Sequence, residues 1–233
     1  MATLLENYFA VKESVRRAAE DAGRDPAGVR LLAVSKTFPA ADIQEVYEGA
    51  GQLAFGENRV QELKEKAPVL PKEIQWHLIG HLQQNKVRAA LEHAQWIHGI
   101  DTPKLFLRIQ EVAIEMGVSP KLLLEVNVSG EESKFGFTPQ SVREFARTLA
   151  SRGTALPAPL VGLMTMAPLG ADGDCLKKTF AGLRILRDEI QDILGTPLPE
   201  LSMGMSGDYP AAIREGATIV RIGTAIFGHR NYL

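Results

Sequence analysis

LLAVSKTF, residues 31–38, decides how the rest of the chain is read. Four apolar residues, Leu31 to Val34, run without interruption into Ser35, Lys36 and Thr37. A short, wholly apolar run reads as a strand covered on both faces, the kind found in parallel sheets. The same signature recurs along the chain, at LAFGE (53–57), WHLIG (76–80), WIHGI (96–100), LLLEVNV (122–128), LVGLMTM (160–166), ELSMGM (200–205) and TIVRIG (218–223). Helical patterns lie between these runs. Leu105, Ile109, Val112 and Met116 share one helix face that Gly117 ends. Leu176, Phe180, Leu183, Ile190 and Ile193 share another, ended by Gly195. Thr138 before Pro139 reads as an N-cap with proline at the first helical position. Strand–helix alternation repeated eight times predicts a single α/β domain over residues 1–233, a (β/α)8 barrel of the TIM type. An open doubly wound sheet is the competing arrangement. Apolar residues at 4, 8, 11, 15 and 18 add an amphipathic helix ahead of the barrel.

Composition narrows the function. The chain has 233 residues, 45% hydrophobic and 23% charged, with a formal net charge of -2. That balance gives no reason to expect a nucleic acid or membrane surface as partner. Cys175 is the single cysteine, so no disulfide framework or paired-thiol metal site forms within the chain, as suits a reducing cytoplasm. The N-terminus lacks a secretory signal pattern, and no run of eighteen apolar residues predicts a membrane span.

In a barrel, chemistry gathers at the C-terminal ends of the strands. The polar residues closing the apolar runs are Lys36, Glu57, Asn58, His81, Gln83, Asn127, Ser129, Thr165, Ser206, Gly223 and Thr224. Ser206 and Gly207 precede a predicted helix, DYPAAIREG, and Gly223 and Thr224 follow strand eight. Loops seven and eight often cradle a phosphate in such barrels, and a helix start offers free N–H groups to it. Ordinary capping by Ser206 and a turn at Gly223 is the simpler alternative. Lys36, on strand one beside strand eight, is placed to reach a ligand anchored there. A partly desolvated lysine forms a Schiff base with an aldehyde, and pyridoxal 5'-phosphate is a phosphorylated aldehyde. Arg221, two residues before Gly223, is placed to face its ring. The alternative for both cations is an ion pair at the rim.

The motifs LLAVSKT, FGENRVQE, WHLIGHLQQNK, VNVSGEESKFG, GLMTM and LSMGMSGDYPAAIREGATIVRIGTAIFG span nearly the whole chain. On them the chain resembles the pyridoxal phosphate homeostasis proteins, also called the proline-synthetase co-transcribed family, relatives of the N-terminal barrel of alanine racemase. The resemblance implies pyridoxal 5'-phosphate held as an imine on Lys36. Ser206, Gly223 and Thr224 match phosphate contacts, Arg221 the arginine facing the pyridine nitrogen, and Asn58 a residue near the cofactor. His77 and Met205 fall inside the motifs without an assigned role. The residues after GLM, in LMTMAP, depart from the family pattern.

The resemblance further implies a carrier role in cofactor homeostasis, with delivery to recipient apo-enzymes, in a monomer. A racemase or decarboxylase of the same barrel class is the alternative. Racemisation needs a base on each face of the substrate carbon. The sequence stops at GHRNYL soon after strand eight, so no second domain is expected to supply one, and Tyr232 is a weak substitute at a terminus. Lys64, Lys66, Lys86 and Lys134 are expected to be exposed solvating charges rather than cofactor relays. The five histidines show no metal spacing. Met164, Met166, Met203 and Met205 read as core filling, and Cys175 has no evident activator.

Overall fold

A computed structural model describes residues 2–131, 134–153 and 156–228. Eight parallel strands close into a barrel in chain order, so sequential strands are spatial neighbours and β8 returns to β1. They are β1 Arg30–Val34, β2 Ala54–Glu57, β3 Gln75–Leu78, β4 Trp96–Ile100, β5 Lys121–Glu125, β6 Leu160–Met164, β7 Glu200–Ser202 and β8 Ile219–Ile222. The helices between them are α2 Ala40–Ala50, α3 Val60–Lys66, α4 Val87–Leu91, α5 Pro103–Met116, α6 Pro139–Arg152, α7 Gly173–Leu194 and α8 Tyr209–Arg214. The expected extra helix at the N-terminus is α1 Leu4–Asp21, and a short α9, Thr224–Phe227, follows β8. The closed barrel excludes the open sheet.

The local causes are those the sequence advertises. Thr3 and Glu6 form a reciprocal capping box at the start of α1, which buries Tyr8, Val11, Val15 and Ala19. Thr102 and Thr138 cap α5 and α6 ahead of proline, and Gly117 and Gly195 close α5 and α7 in the left-handed conformation. The main core fills the shell between barrel and helices. A second cluster, Leu32, Trp96, Leu123, Met164 and Ile219, fills the barrel itself. Gly162 on β6 shows how tightly the wall is drawn: a Cβ there would lie 2.0 Å from the carbonyl oxygen of Glu200 on β7. Four strands, β3, β5, β6 and β7, stop two or three residues before their apolar runs end. The segments after them leave the ladder and rise as loops over the barrel mouth.

Candidate functional site

Alternation along a strand settles which polar residues reach the mouth. Leu32 lies inside the barrel, so Val34 and Lys36 follow on the same side. Leu123 inside gives Glu125, and Ile219 inside gives Arg221 and then Gly223. All five of these successors line one cavity of about 590 Å3 at the C-terminal ends of the strands, together with Asn58, His81, Met205, Ser206, Gly207 and Thr224. The six residues singled out from the sequence, Lys36, Asn58, Ser206, Arg221, Gly223 and Thr224, therefore meet in one place. A larger hollow of about 830 Å3 lies against α1 and the start of β1. It contains none of these strand-end residues, and its polar groups satisfy one another: Tyr8 donates to Gln52, which donates to the carbonyls of Leu31 and Ala54.

One side of the mouth is formed by a helix start. Gly223 begins α9, and no side chain caps that helix. Gly223 and Thr224, at this helix start, line the cavity together with Ser206 and Gly207. Gly223 also allows β8 to approach β1, because a Cβ there would lie 3.0 Å from the Val34 carbonyl oxygen. Phe38 stacks on Phe227 with centroids 5.2 Å apart and ties the Lys36 loop to α9.

Below the mouth, Arg221 anchors a buried polar chain. Its Nη1 donates to Ser202 Oγ at 2.8 Å and its Nη2 to the Thr165 carbonyl at 3.0 Å. Ser202 Oγ lies 2.9 Å from His98 Nδ1, and His98 Nε2 lies 2.9 Å from His77 Nδ1. His77 stacks on Trp96. A guanidinium only donates, so Ser202 accepts from it and passes its own proton to His98. His98 then donates from Nε2 to His77, which carries its proton on Nε2, an atom without a partner among the described residues. Burial drives both imidazoles toward the neutral form, His77 down to about 3 with help from Arg30 and Lys121, and His98 well below its ordinary value. Burial also draws Arg221 down to about 10, against the pull of Glu125 and Asp208, which leaves it charged at neutral pH.

A second buried set holds the Lys36 loop from outside the barrel. Ser35 Oγ donates to Glu57 at 2.7 Å, and Lys66 Nζ donates to Glu57 at 2.9 Å, to Glu62 at 3.0 Å and to the Ser35 carbonyl at 3.1 Å. Thr37 donates its N–H to Glu62 at 2.6 Å and has φ +71°, a strained value for a β-branched residue. Lys36 is thus flanked by two residues whose positions are fixed by α3. Burial raises Glu57 to about 7, opposed by Lys66 and Ser35.

Several sequence expectations change here. Glu57 turns away from the mouth, because it falls on the opposite parity from Asn58. Lys66 is not a solvated charge but is 8% exposed and ion-paired. Thr165 contributes its carbonyl to Arg221, while its hydroxyl bonds the Val126 carbonyl. Asn127 closes its own loop, accepting from Ser129 and Gly130 and donating to Glu131. Met164 and Met203 are core residues, but Met166 and Met205 line the mouth. Lys134 pairs with Glu131 and the Met166 carbonyl. Tyr232 lies outside the described residues. No cluster of metal-ligating side chains occurs among the described residues.

The comparisons agree with this architecture. A family model described as the alanine racemase N-terminal domain matches residues 7–231. A pyridoxal phosphate homeostasis protein of Pseudomonas aeruginosa is 45% identical over 235 residues, covering 100% of this chain and 98% of the relative. One of Aquifex aeolicus is 43% identical over 230 residues, covering 97% and 98%. The chain belongs to the pyridoxal phosphate homeostasis protein family. Among solved structures, PipY of Synechococcus elongatus with PLP bound is 42% identical with a TM-score of 0.80, covering 92% of this chain and 99% of that one.

Against the family's motifs, the buried residues are the ones sequence reasoning passed over. Lys66 continues the three-residue spacing of the buried face of α3, after Val60 and Leu63, and that spacing was the available signal. His98 interrupts the otherwise apolar β4, and Glu125 closes β5 inside the apolar run 122–128. Ser202 carries no such mark. Among the described residues no helix is long and apolar enough to cross a membrane.

Proposed function

We propose that the chain holds pyridoxal 5'-phosphate at the barrel mouth, covalently on Lys36, and serves cytoplasmic cofactor homeostasis and delivery to apo-enzymes as a monomer without substantial turnover. The observation that carries this reading is the meeting, in one cavity, of an amine, a buried guanidinium and a helix start free of side-chain caps. These three suit the aldehyde, the pyridine nitrogen and the phosphate of one small molecule. Ser206, Gly207, Gly223 and Thr224 would hold the phosphate, Arg221 would face the ring nitrogen, and Asn58 would lie beside the ring. The bound group supplies a reversible imine and a ring that can accept electron density.

Arg221 weakens the ring as an electron sink without by itself forbidding catalysis. It is charged, is held by Ser202 and Thr165, and has only donors to offer. A ring nitrogen facing it stays unprotonated and makes a weaker electron sink. The close relatives are likewise named for homeostasis rather than for a reaction.

The test is the absorbance spectrum of the purified protein incubated with the cofactor, before and after borohydride reduction, with mass analysis of the Lys36 peptide. A visible band that Lys36→Ala abolishes, and a reduced adduct on Lys36, are expected. A colourless protein with no added mass at Lys36 would overturn the reading. Incubating the loaded protein with a panel of amino acids in deuterated water should give no α-proton exchange, and fast exchange on one of them would restore the enzyme.

A further inference from the structure

The mouth contains one ionisable group that cofactor binding leaves unused. Glu125 ends β5, is 5% exposed, and lines the cavity with Lys36 and Arg221. Among the described residues no donor makes a hydrogen bond to its carboxyl group, whose oxygens open onto the cavity rather than being sealed in the interior. Its Oε2 lies on the barrel side of β4, since a Cβ on Gly99 would sit 3.5 Å from it. The groups around it are Arg221 on β8, Asp101 after β4 and His81 after β3, the last two paired with each other at 2.9 Å. Phe135, Met166 and Ile79 give the same part of the cavity an apolar wall.

We propose that Glu125 marks a subsite for a primary alkylamine without a neighbouring carboxylate, and that it exchanges protons with that amine as the cofactor changes hands. This rests on the cofactor reading above. The chemistry of the walls selects the ligand. An alkylammonium meets an acceptor at Glu125 and apolar contacts along its chain. An α-amino acid brings a carboxylate toward Glu125 and Asp101, which repel it, while Arg221 bonds Ser202 and Thr165 and turns its remaining N–H groups to the ring in the reading above. In the exchange, Glu125 takes a proton from the incoming ammonium. The freed lone pair adds to the aldehyde-derived carbon, and the π bond from that carbon opens onto Lys36 Nζ. A second proton passes from the incoming nitrogen to Lys36 Nζ, the remaining bond from the carbon to Nζ breaks as the incoming nitrogen forms the new double bond, and Lys36 leaves as an amine that takes up the proton held on Glu125. Nothing is oxidised or reduced. Burial raises Glu125 to about 7, helped by Asp101 and opposed by Arg221 and His81, so at neutral pH it can both take and return a proton.

Such an amine occurs on free molecules and on protein lysines, and the experiment separates the two. Protein loaded with the cofactor is mixed with n-butylamine, with Nα-acetyl-lysine amide or with norleucine, at equal concentrations of free base. Transfer is followed by absorbance and normalised to the loaded fraction. Both amines lacking a carboxylate should outrun norleucine about tenfold or more, and Glu125→Gln should slow them about tenfold and erase the preference. Faster transfer to acetyl-lysine amide assigns protein lysines, and faster transfer to butylamine assigns free amines. Wild-type rates and preference in Glu125→Gln would overturn the proposal. A chain that takes up no cofactor fails the earlier reading before any amine is added. In cofactor-free, unmutated protein, the Glu125 carboxyl carbon should titrate near pH 7 by NMR and shift on addition of n-butylammonium, and no shift would also overturn it.

Discussion

Ser202→Ala tests the buried chain beneath Arg221. Ser202 is fully buried, accepts from the guanidinium at 2.8 Å and lies 2.9 Å from His98 Nδ1. Removing its oxygen deletes a hydrogen bond to a charged donor, worth about 1.5–3 kcal/mol net. It also leaves His98 Nδ1 without a donor in a dry interior, at a cost of about 1–3 kcal/mol. The vacated space is that of a single oxygen atom, too small for water to replace it. Some of the loss is recovered, because Arg221 keeps its bond to the Thr165 carbonyl. A net destabilisation of about 3 kcal/mol follows, a large share of the roughly 5–15 kcal/mol that holds a domain together. Urea unfolding at pH 7 would read this as a lower midpoint at unchanged slope. The same chain predicts that nitrogen-15 NMR finds both His77 and His98 neutral with the proton on Nε2, from pH 5 to 8. Destabilisation under about 1 kcal/mol, with His98 protonated on Nδ1, would refute the one-way chain.

Three other outcomes follow from buried groups. Glu57 and Glu125 are both raised from 4.5 to about 7, so between these values the folded chain retains protons that the unfolded chain releases. Stability therefore falls as pH rises through that window, by at most about 3 kcal/mol for each group, and levels off above it. The Glu57→Gln, Glu125→Gln double variant should flatten the slope in pH-dependent urea titrations, and an unchanged slope would count against both assignments. Lys66→Met leaves the Ser35 carbonyl without its Lys66 donor and Glu57 with Ser35 Oγ alone, and should cost about 3 kcal/mol at pH 7, less at pH 5 where Glu57 is protonated; chemical denaturation at the two pH values compares them, and equal losses would disprove the pairing. Gly162→Ala places a methyl group 2.0 Å from the Glu200 carbonyl and should lower the melting temperature severely or prevent folding, whereas a stable variant would show that β6 and β7 can part.

The order of elements was legible in residues 31–38 and their seven counterparts, because a parallel strand covered on both faces needs an unbroken apolar run. So was the meeting of Lys36, Ser206, Arg221, Gly223 and Thr224 at one barrel mouth, since they lie at the ends of such runs, where a closed barrel gathers its loops. The tertiary structure decided what faces what. Glu57 and Asn58 are adjacent in sequence, yet one turns outward to Lys66 and the other lines the mouth, and only the register of the closed sheet assigns those sides. Lys66, His98 and Ser202 acquire their roles from partners 4 to 104 residues away along the chain. A charge's burial depends on what packs over it, and that is a property of the assembled barrel rather than of any local stretch.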